Sequence, residues 1–349
     1  MQTAIAAIFV FLLVILLHEL GHFTVAKLVG IKVNEFSIGM GPKIIQRQKG
    51  ETKYTLRILP IGGYVNMEGE DEDSDDPRGF GKASPLARMA VVAAGAIMNF
   101  VLALIVLSIF SFNTGEPTTV IGEIIENTPA EVAGILPGDR ITHINHISVN
   151  TWEELSEAIS SSELKEDMEV SILRSNEDIT INIVPVSEEG RNIIGIIPRY
   201  KKSLSYGIKG GFEKTGMFIK LMFDFIGMVF KGQVSTKDLA GPIGVINEVG
   251  QAAKMGMTSL LLILGFISVN LGFFNLLPIP ALDGSRLVFL FIELVRGKPI
   301  DPEKENVIHL VDLNNSDLEN IIKESDIVIF HGVFYTYYMK IYRLVKKHR

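Results

Sequence analysis

Three stretches of this chain stay apolar for long enough to cross a lipid bilayer, and the residues between them follow other periods. The first runs from about Ala4 to Val29 and is wholly apolar from Ala4 to Leu17; the second runs from about Met89 to Phe112, the third from about Met255 to Leu277, both uncharged. A bilayer core takes about 20 residues of helix to cross, so each stretch predicts a transmembrane helix. Between Phe212 and Lys231 the pattern changes: Lys220 and Asp224 interrupt, while Phe218, Leu221, Met222, Phe225, Ile226 and Val229 form a helical stripe. This predicts an amphipathic helix over residues 208–232, lying in the membrane interface. The N-terminus carries no basic residue before its apolar run and no small-residue cleavage site after it, so the first stretch reads as a retained span, not a secretory signal.

Residues 31–66 alternate differently. Beta-favouring runs at Glu35–Ile38, Lys43–Gln46 and Tyr54–Leu59 are separated by Gly39-Met40-Gly41-Pro42, Lys49-Gly50 and Pro60-Ile61-Gly62-Gly63, which predicts a small hairpin sheet. An open strand edge there would suit pairing with an extended substrate backbone; an ordinary cytoplasmic hairpin fits the same residues. The acidic stretch Glu68–Asp76, within residues 67–87, reads as a solvated linker.

Residues 118–198 read as a separate soluble module: a strand at Thr119–Ile125, a short helix from Pro129, a strand opened by Pro137-Gly138-Asp139-Arg140-Ile141, a helix at Trp152–Ser160, and strands near Met168–Arg174 and Asp178–Val184. Asn127-Thr128-Pro129-Ala130-Glu131-Val132-Ala133-Gly134-Ile135 and Gly138-Asp139-Arg140-Ile141-Thr142-His143-Ile144-Asn145 resemble a PDZ domain of the bacterial, permuted kind. His146 departs from that family, which often has glycine there, and this puts the turn geometry in question. The resemblance implies recognition of chain ends by strand addition, with a carboxylate loop near Val120, Ile121 and Gly122.

Loop charge sets orientation. Lys32, Lys43, Arg47, Lys49, Lys53 and Arg57 follow the first span, so that loop is expected to face the cytoplasm and the module after the second span to lie outside. The fold class that follows is a multi-pass α-helical membrane protein with a membrane-associated β-hairpin sheet and an inserted extracytoplasmic PDZ-like α+β domain. Composition narrows function further. Cysteine is absent, so a metal must be held by nitrogen and oxygen; a net charge of −7 offers no phosphate-neutralising patch, which argues against nucleic acid as a partner.

The candidate chemistry begins at His18-Glu19-Leu20-Gly21-His22, inside the first apolar stretch. HExxH on a helix sets two imidazoles one turn apart on one face, spaced to share a zinc ion, with a glutamate placed to act as base. Ionisable groups at membrane depth are expensive and usually pair, line a wet cavity or perform chemistry. A third protein ligand is required, and the best candidate ends the third span, in Asn275-Leu276-Leu277-Pro278-Ile279-Pro280-Ala281-Leu282-Asp283-Gly284. Prolines at 278 and 280 break a helix where freed backbone must be covered by protein or line a cavity. Asp283 then emerges on the side of His18 and His22, and spacing alone leaves it two roles: metal ligand, or N-cap of a helix from Ser285 to Arg296.

HExxH in the first span, NxxPxPxLDG at the end of a later one and a PDZ-like module between them resemble the site-2 protease family of intramembrane zinc metalloproteases. The nearest branch is the bacterial regulator-of-sigma-E protease type with a single PDZ domain. The likeness extends from residue 1 to about 309 and includes Phe36-Ser37-Ile38-Gly39, Pro60-Ile61-Gly62-Gly63-Tyr64-Val65, Ala94-Gly95 with Asn99-Phe100, and Gly241-Pro242-Ile243-Gly244. The resemblance implies that His18, His22 and Asp283 bind zinc, that Glu19 is the catalytic base, and that Asn275, with Pro278 and Pro280, helps hold the substrate backbone. It implies peptide hydrolysis within a bacterial plasma membrane, with single-span anti-sigma factors or remnant signal peptides as substrates. The outer module and interfacial helix would then act as a size gate.

Two departures stand out. Ala96 occupies a position where the family commonly has proline. After His309 the family continues into a final apolar span, but here Asp312, Asn314, Asn315, Asp317, Glu319, Lys323 and Glu324 intervene, so residues 285–349 are expected to lack that span or to carry a degraded one. The apolar run Ile327–Tyr338 and the basic tail beyond it would suit the cytoplasmic lipid face. The alternative class is an inactive membrane-tethered PDZ adaptor with a structural metal; an intact Glu19 argues against it, because a structural site needs no base. A transporter with a metal at a broken helix is a third reading, and it lacks the repeated halves such folds show.

Overall fold

The first apolar stretch forms helix α1, Gln2–Leu28, and its end is fixed by local chemistry. Gly30 takes a φ of 85°, its N–H bonds the Lys27 carbonyl and the N–H of Ile31 bonds the Ala26 carbonyl, a Schellman stop that only an unhindered residue accepts cheaply. The computed structural model describes residues 2–70, 74–162, 166–188, 190–233, 242–279 and 282–298. Two compact units form, one from Met1–Leu102, Met217–Gly256 and Phe266–Arg349, the other from Ala103–Gly216 and Met257–Gly265.

In the first unit, α1 leads into strands β1 (Val33–Lys49) and β2 (Thr52–Met67). The beta-favouring runs expected from sequence lie within these two long strands, and the glycine-rich breaks bend them without ending them. Residues 35–38 of β1 are flanked on one side by 53–56 and on the other by 63–66, while 43–49 pair with 52–57. Gly39, Gly41 and Gly62 carry the positive φ values that this curling needs. Arg57 ties the layers together, donating to Ser37 Oγ, the Gly41 carbonyl, Glu35 and Tyr64. Phe23 of α1 packs at a tilt on Phe36 and edgewise on Tyr54, and seats the sheet on the helix.

Beyond β2 the chain is fastened back: Glu68 accepts from Lys32, Asn34 and Ser74, and a 3-10 turn at Phe80–Lys82 follows. Helix α2, Pro85–Thr114, begins in this unit. Ala26, Ile31, Val33, Met67, Phe80, Val91, Val92 and Leu290 form one buried cluster, so α1, the sheet base, α2 and a later helix that carries Leu290 share a core.

The second unit holds the module expected over residues 118–198. Its strands are β3 (Glu116–Ile124), β4 (Arg140–Ile144), β5 (Ile147–Ser148), β6 (Met168–Arg174), β7 (Glu177–Ile183), β8 (Val186–Glu188), β9 (Arg191–Ile193) and β10 (Ile196–Lys201), with helices α3 (Pro129–Val132) and α4 (Trp152–Ser160). The main sheet runs β10-β3-β4-β6-β7, with β5 paired to β4. Ile121, Ile141, Ile144, Leu155, Met168, Ile172 and Ile183 are among its fully buried side chains, and α4 closes the core with a capping box between Thr151 and Glu154. Asp139, expected to open a strand, is buried and accepts from Nε and Nη2 of Arg174 and from the Leu136 N–H. His146 adopts a φ of 66° beside Asn145 at 47°, so the tight turn forms without glycine, and its Nδ1 lies 3.1 Å from Glu169. The sequence reading placed no strand at β5, β8, β9 or β10, all short or irregular.

Helix α5 spans Leu204–Phe230, four residues earlier than the amphipathic pattern suggested. Its N-terminal half packs within the second unit: a side chain at Gly207 or Gly211 would collide with Ser108 and its neighbours on α2. Helix α6, Pro242–Met255, was not expected from sequence; it runs beside α1 and hands over at Gly256, φ 114°, to α7, Met257–Asn275. Helix α8, Asp283–Arg296, follows. Among the described residues three helices, Thr3–Leu28, Pro85–Thr114 and Met257–Asn275, are long and apolar enough to cross a membrane. Pro280, Gly241 and the sequence from 299 onward, including the run at Ile327–Tyr338, lie outside the described residues.

Candidate metal centre

Helical spacing puts His18 and His22 on one face of α1, with ring centroids 4.7 Å apart at 84°. Each ring is held from behind by α2. The Nδ1 of His22 lies 2.8 Å from the Val91 carbonyl, which can only accept, so His22 carries its proton on Nδ1 and leaves Nε2 bare. The Nδ1 of His18 lies 3.1 Å from the side-chain amide of Asn99, which is completely buried. This close approach depends on small residues. A side chain at Gly21 would strike the Ala94 carbonyl, and a Cβ at Gly95 would lie 2.6 Å from Cε1 of His22 and 2.7 Å from Cε1 of His18.

Asp283 arrives from the far end of the chain. It is the first residue of α8, preceded by Leu282 at the N-cap, and no side-chain cap bond forms, so the capping role that spacing left open is not taken up. Its Oδ2 stands 3.2 Å from His18 Nε2 and 3.5 Å from His22 Nε2, and the two Nε2 atoms are 3.1 Å apart. Helix α8 is pinned close by: Gly284 sits hard against the Leu276 and Leu277 backbone, Arg286 pairs with Glu70, and Glu293 pairs with Arg88 of α2, both ends of that last pair being about seven-eighths buried.

The donor set fits a small divalent cation. Atoms on a tetrahedron with metal–nitrogen bonds of about 2.0–2.1 Å stand about 3.3–3.4 Å apart, and the three edges bracket that value. Asp283 Oδ2 is buried without a hydrogen-bond donor, an arrangement that a positive charge between the three atoms relieves. Two imidazole nitrogens and one carboxylate, with no cysteine thiolate available, match a catalytic zinc set that keeps a fourth position for water.

Glu19 projects from the same turn of α1, and its Cγ lies 3.3 Å from where a Cβ at Gly63 would stand, so the edge segment of β2 passes over it. Asn275 is buried at the last residue of α7, and Pro278 follows in the irregular link to α8. Gly122 is placed differently from the loop expected for it. It lies in the middle of β3, beside β10, where a Cβ would meet the Pro198 carbonyl at 2.9 Å. Sequence reasoning assigned no role at the site to Asn99, Gly21, Gly95 or the Arg88–Glu293 pair. The available signals were a lone asparagine within an apolar span and the Ala94-Gly95 and Asn99-Phe100 pairs that carry the family resemblance.

Residues 6–314 match the family described as peptidase family M50. A protein named as a zinc metalloprotease in Clostridium acetobutylicum is 40% identical over 312 residues, covering 88% of this chain and 91% of that one. The regulator of sigma-W protease RasP of Bacillus subtilis is 32% identical, covering 87% of this chain and 93% of that one. Among solved structures, the PDZ domain of an SdrC-like protein from Listeria innocua is 24% identical, covering 25% of this chain and 99% of that one, with a TM-score of 0.22. The chain belongs to peptidase family M50, the site-2 proteases, and is a membrane metalloendopeptidase.

Proposed function

We propose that this enzyme cuts peptide bonds within or next to transmembrane segments of single-span membrane proteins, using His18, His22 and Asp283 as zinc ligands and Glu19 as base. The observation that carries the reading is the convergence of two bare or bare-able Nε2 atoms and one orphaned carboxylate oxygen from opposite ends of the chain. Zinc, when bound, supplies Lewis acidity toward the scissile carbonyl and makes the attacking water more acidic. Glu19 takes a proton from that water and returns it to the leaving amine.

A transmembrane helix keeps its amides in internal hydrogen bonds, so the substrate must open into an extended strand before attack. Residues 63–66 form an outer segment of the hairpin sheet, and among the described residues no further strand pairs with that sheet. A substrate strand added there would lie beside Glu19, with recognition resting on backbone and not on sequence. Helix-weak segments should therefore be cut fastest. Asn275 and Pro278 are the proposed second contact for the substrate backbone.

The RasP name of the Bacillus subtilis relative supports an anti-sigma factor as substrate, and remnant signal peptides fit the same chemistry. Loop charge supports a cytoplasmic-side active site and an outer PDZ-type module at residues 118–198. The test is cleavage of a single-span substrate by the purified full-length protein. Chelator and Glu19→Gln should each abolish cleavage, with zinc retained in the variant; turnover by Glu19→Gln at the parental rate removes Glu19 as base.

A further inference from the structure

We infer that Asn99 is a positioning residue for the zinc site, its side-chain oxygen holding the Nδ1–H of His18 so that Nε2 faces the metal bare; this rests on the metal-site reading above. The two imidazoles are not held alike. His22 donates to the Val91 carbonyl, a pure acceptor, and its tautomer is thereby fixed for ligation. His18 instead faces a carboxamide, which can either donate or accept.

With Nδ2 toward His18, the proton of that ring is forced onto Nε2, into the 3.1 Å gap to His22 Nε2. Rotating the carboxamide by half a turn costs no space, because its two ends have the same shape. Oδ1 then accepts from Nδ1–H, and His18 Nε2, His22 Nε2 and Asp283 Oδ2 all point lone pairs at one spot. The backbone that aims this side chain is itself anchored: Ser268 Oγ of α7 donates to the Asn99 carbonyl at 2.8 Å. Asn99 is therefore matched to the metal-loaded tautomer by a group that α2 and α7 fix together.

The experiment measures zinc affinity by chelator competition on the full-length protein in detergent, for the parent, Asn99→Asp, Asn99→Leu and His18→Ala. Aspartate can only accept, as the proposed role requires, whereas leucine keeps the volume and cannot accept. Asn99→Leu should bind zinc about 10- to 100-fold more weakly, the usual effect of losing a group that orients a metal ligand, and Asn99→Asp should stay near the parent. Parental affinity in Asn99→Leu overturns the proposal, as does an Asn99→Asp variant as weak as Asn99→Leu. If Asn99→Leu fails to accumulate, Asn99→Asp alone decides, by holding zinc or losing it. The metal reading fails separately: the parent then binds no zinc, or His18→Ala binds it as tightly as the parent.

Discussion

A single methyl group at position 95 should disable the site while leaving the rest of the protein folded. Gly95 lies on α2 directly against both imidazoles, and a Cβ there would stand 2.6 Å from Cε1 of His22 and 2.7 Å from Cε1 of His18. Relaxed carbon contacts begin at about 3.5 Å, so each ring must withdraw by about 0.8–0.9 Å, or α2 must shift by that amount. Metal–ligand bonds tolerate errors of only about 0.2 Å, so neither response leaves both nitrogens in place. Moving α2 also breaks the Val91 and Asn99 contacts and costs about 1–3 kcal/mol of packing. Gly95→Ala should therefore lose about 10²-fold or more in zinc affinity, and cleavage with it. The comparison is Gly216→Ala on α5, where no atom lies within 4 Å of the added Cβ and the change should be neutral or slightly stabilising. Zinc affinity by chelator competition and cleavage of a single-span substrate are measured on both variants. Parental zinc binding in Gly95→Ala would refute the close approach of α2 to the ligands.

Other consequences follow from the same contacts. Arg88→Met should destabilise the protein by about 3–5 kcal/mol by stranding buried Glu293, and the double variant with Glu293→Leu should recover most of that loss in denaturant melts. Asp139→Asn should weaken the β3–β10 module by about 2–3 kcal/mol, because the mostly solvent-shielded carboxylate accepts from Arg174 and Leu136; Trp152, the single tryptophan, packs on that core and its fluorescence reports the transition. Hydrogen bonds from Ser74 and Asn34, and then Lys32, lower the Glu68 carboxyl from 4.5 to about 2. A depressed folded value means its stabilisation is complete above about 4.5 and vanishes as pH falls toward about 2. The gap in thermal midpoint between the parent and Glu68→Gln should close over that range, and a gap independent of pH would exclude this contribution.

Much of this architecture is written in short-range pattern. The apolar stretches stand out because lipid imposes one rule on every position, and the ends of α1 and α2 fall within four residues of the stretches read from sequence. The strands of the β3–β10 module are visible where apolar residues alternate with more exposed ones, as in β6 and β7, and invisible in β8 and β9, which are too short to show a period, and in β10, whose burial does not alternate. Helix α6 was missed because Asn247, Glu248 and Lys254 break its apolar run, and its face against α1 uses small residues such as Gly250, which carry no hydropathy signal. At the site, His18 and His22 are legible because helix geometry alone joins them. Asp283 needed the family resemblance, since nothing local says whether the first residue of a helix caps it or leaves it for a metal. Gly95 and Asn99 act through distances across helices, which spacing along the chain does not encode. That Gly122 falls within β3 is hidden for the same reason: strand pairing is set by neighbours in the sheet.

The central claim is that residues 18, 22 and 283 share one zinc ion, and X-ray absorption at the zinc edge of the purified full-length protein tests it most directly. The account predicts one zinc per chain with nitrogen and oxygen neighbours at about 2.0–2.2 Å, two of them imidazoles, and loss of that signal in Asp283→Ala. A parent without zinc, or a spectrum unchanged in Asp283→Ala, would contradict it.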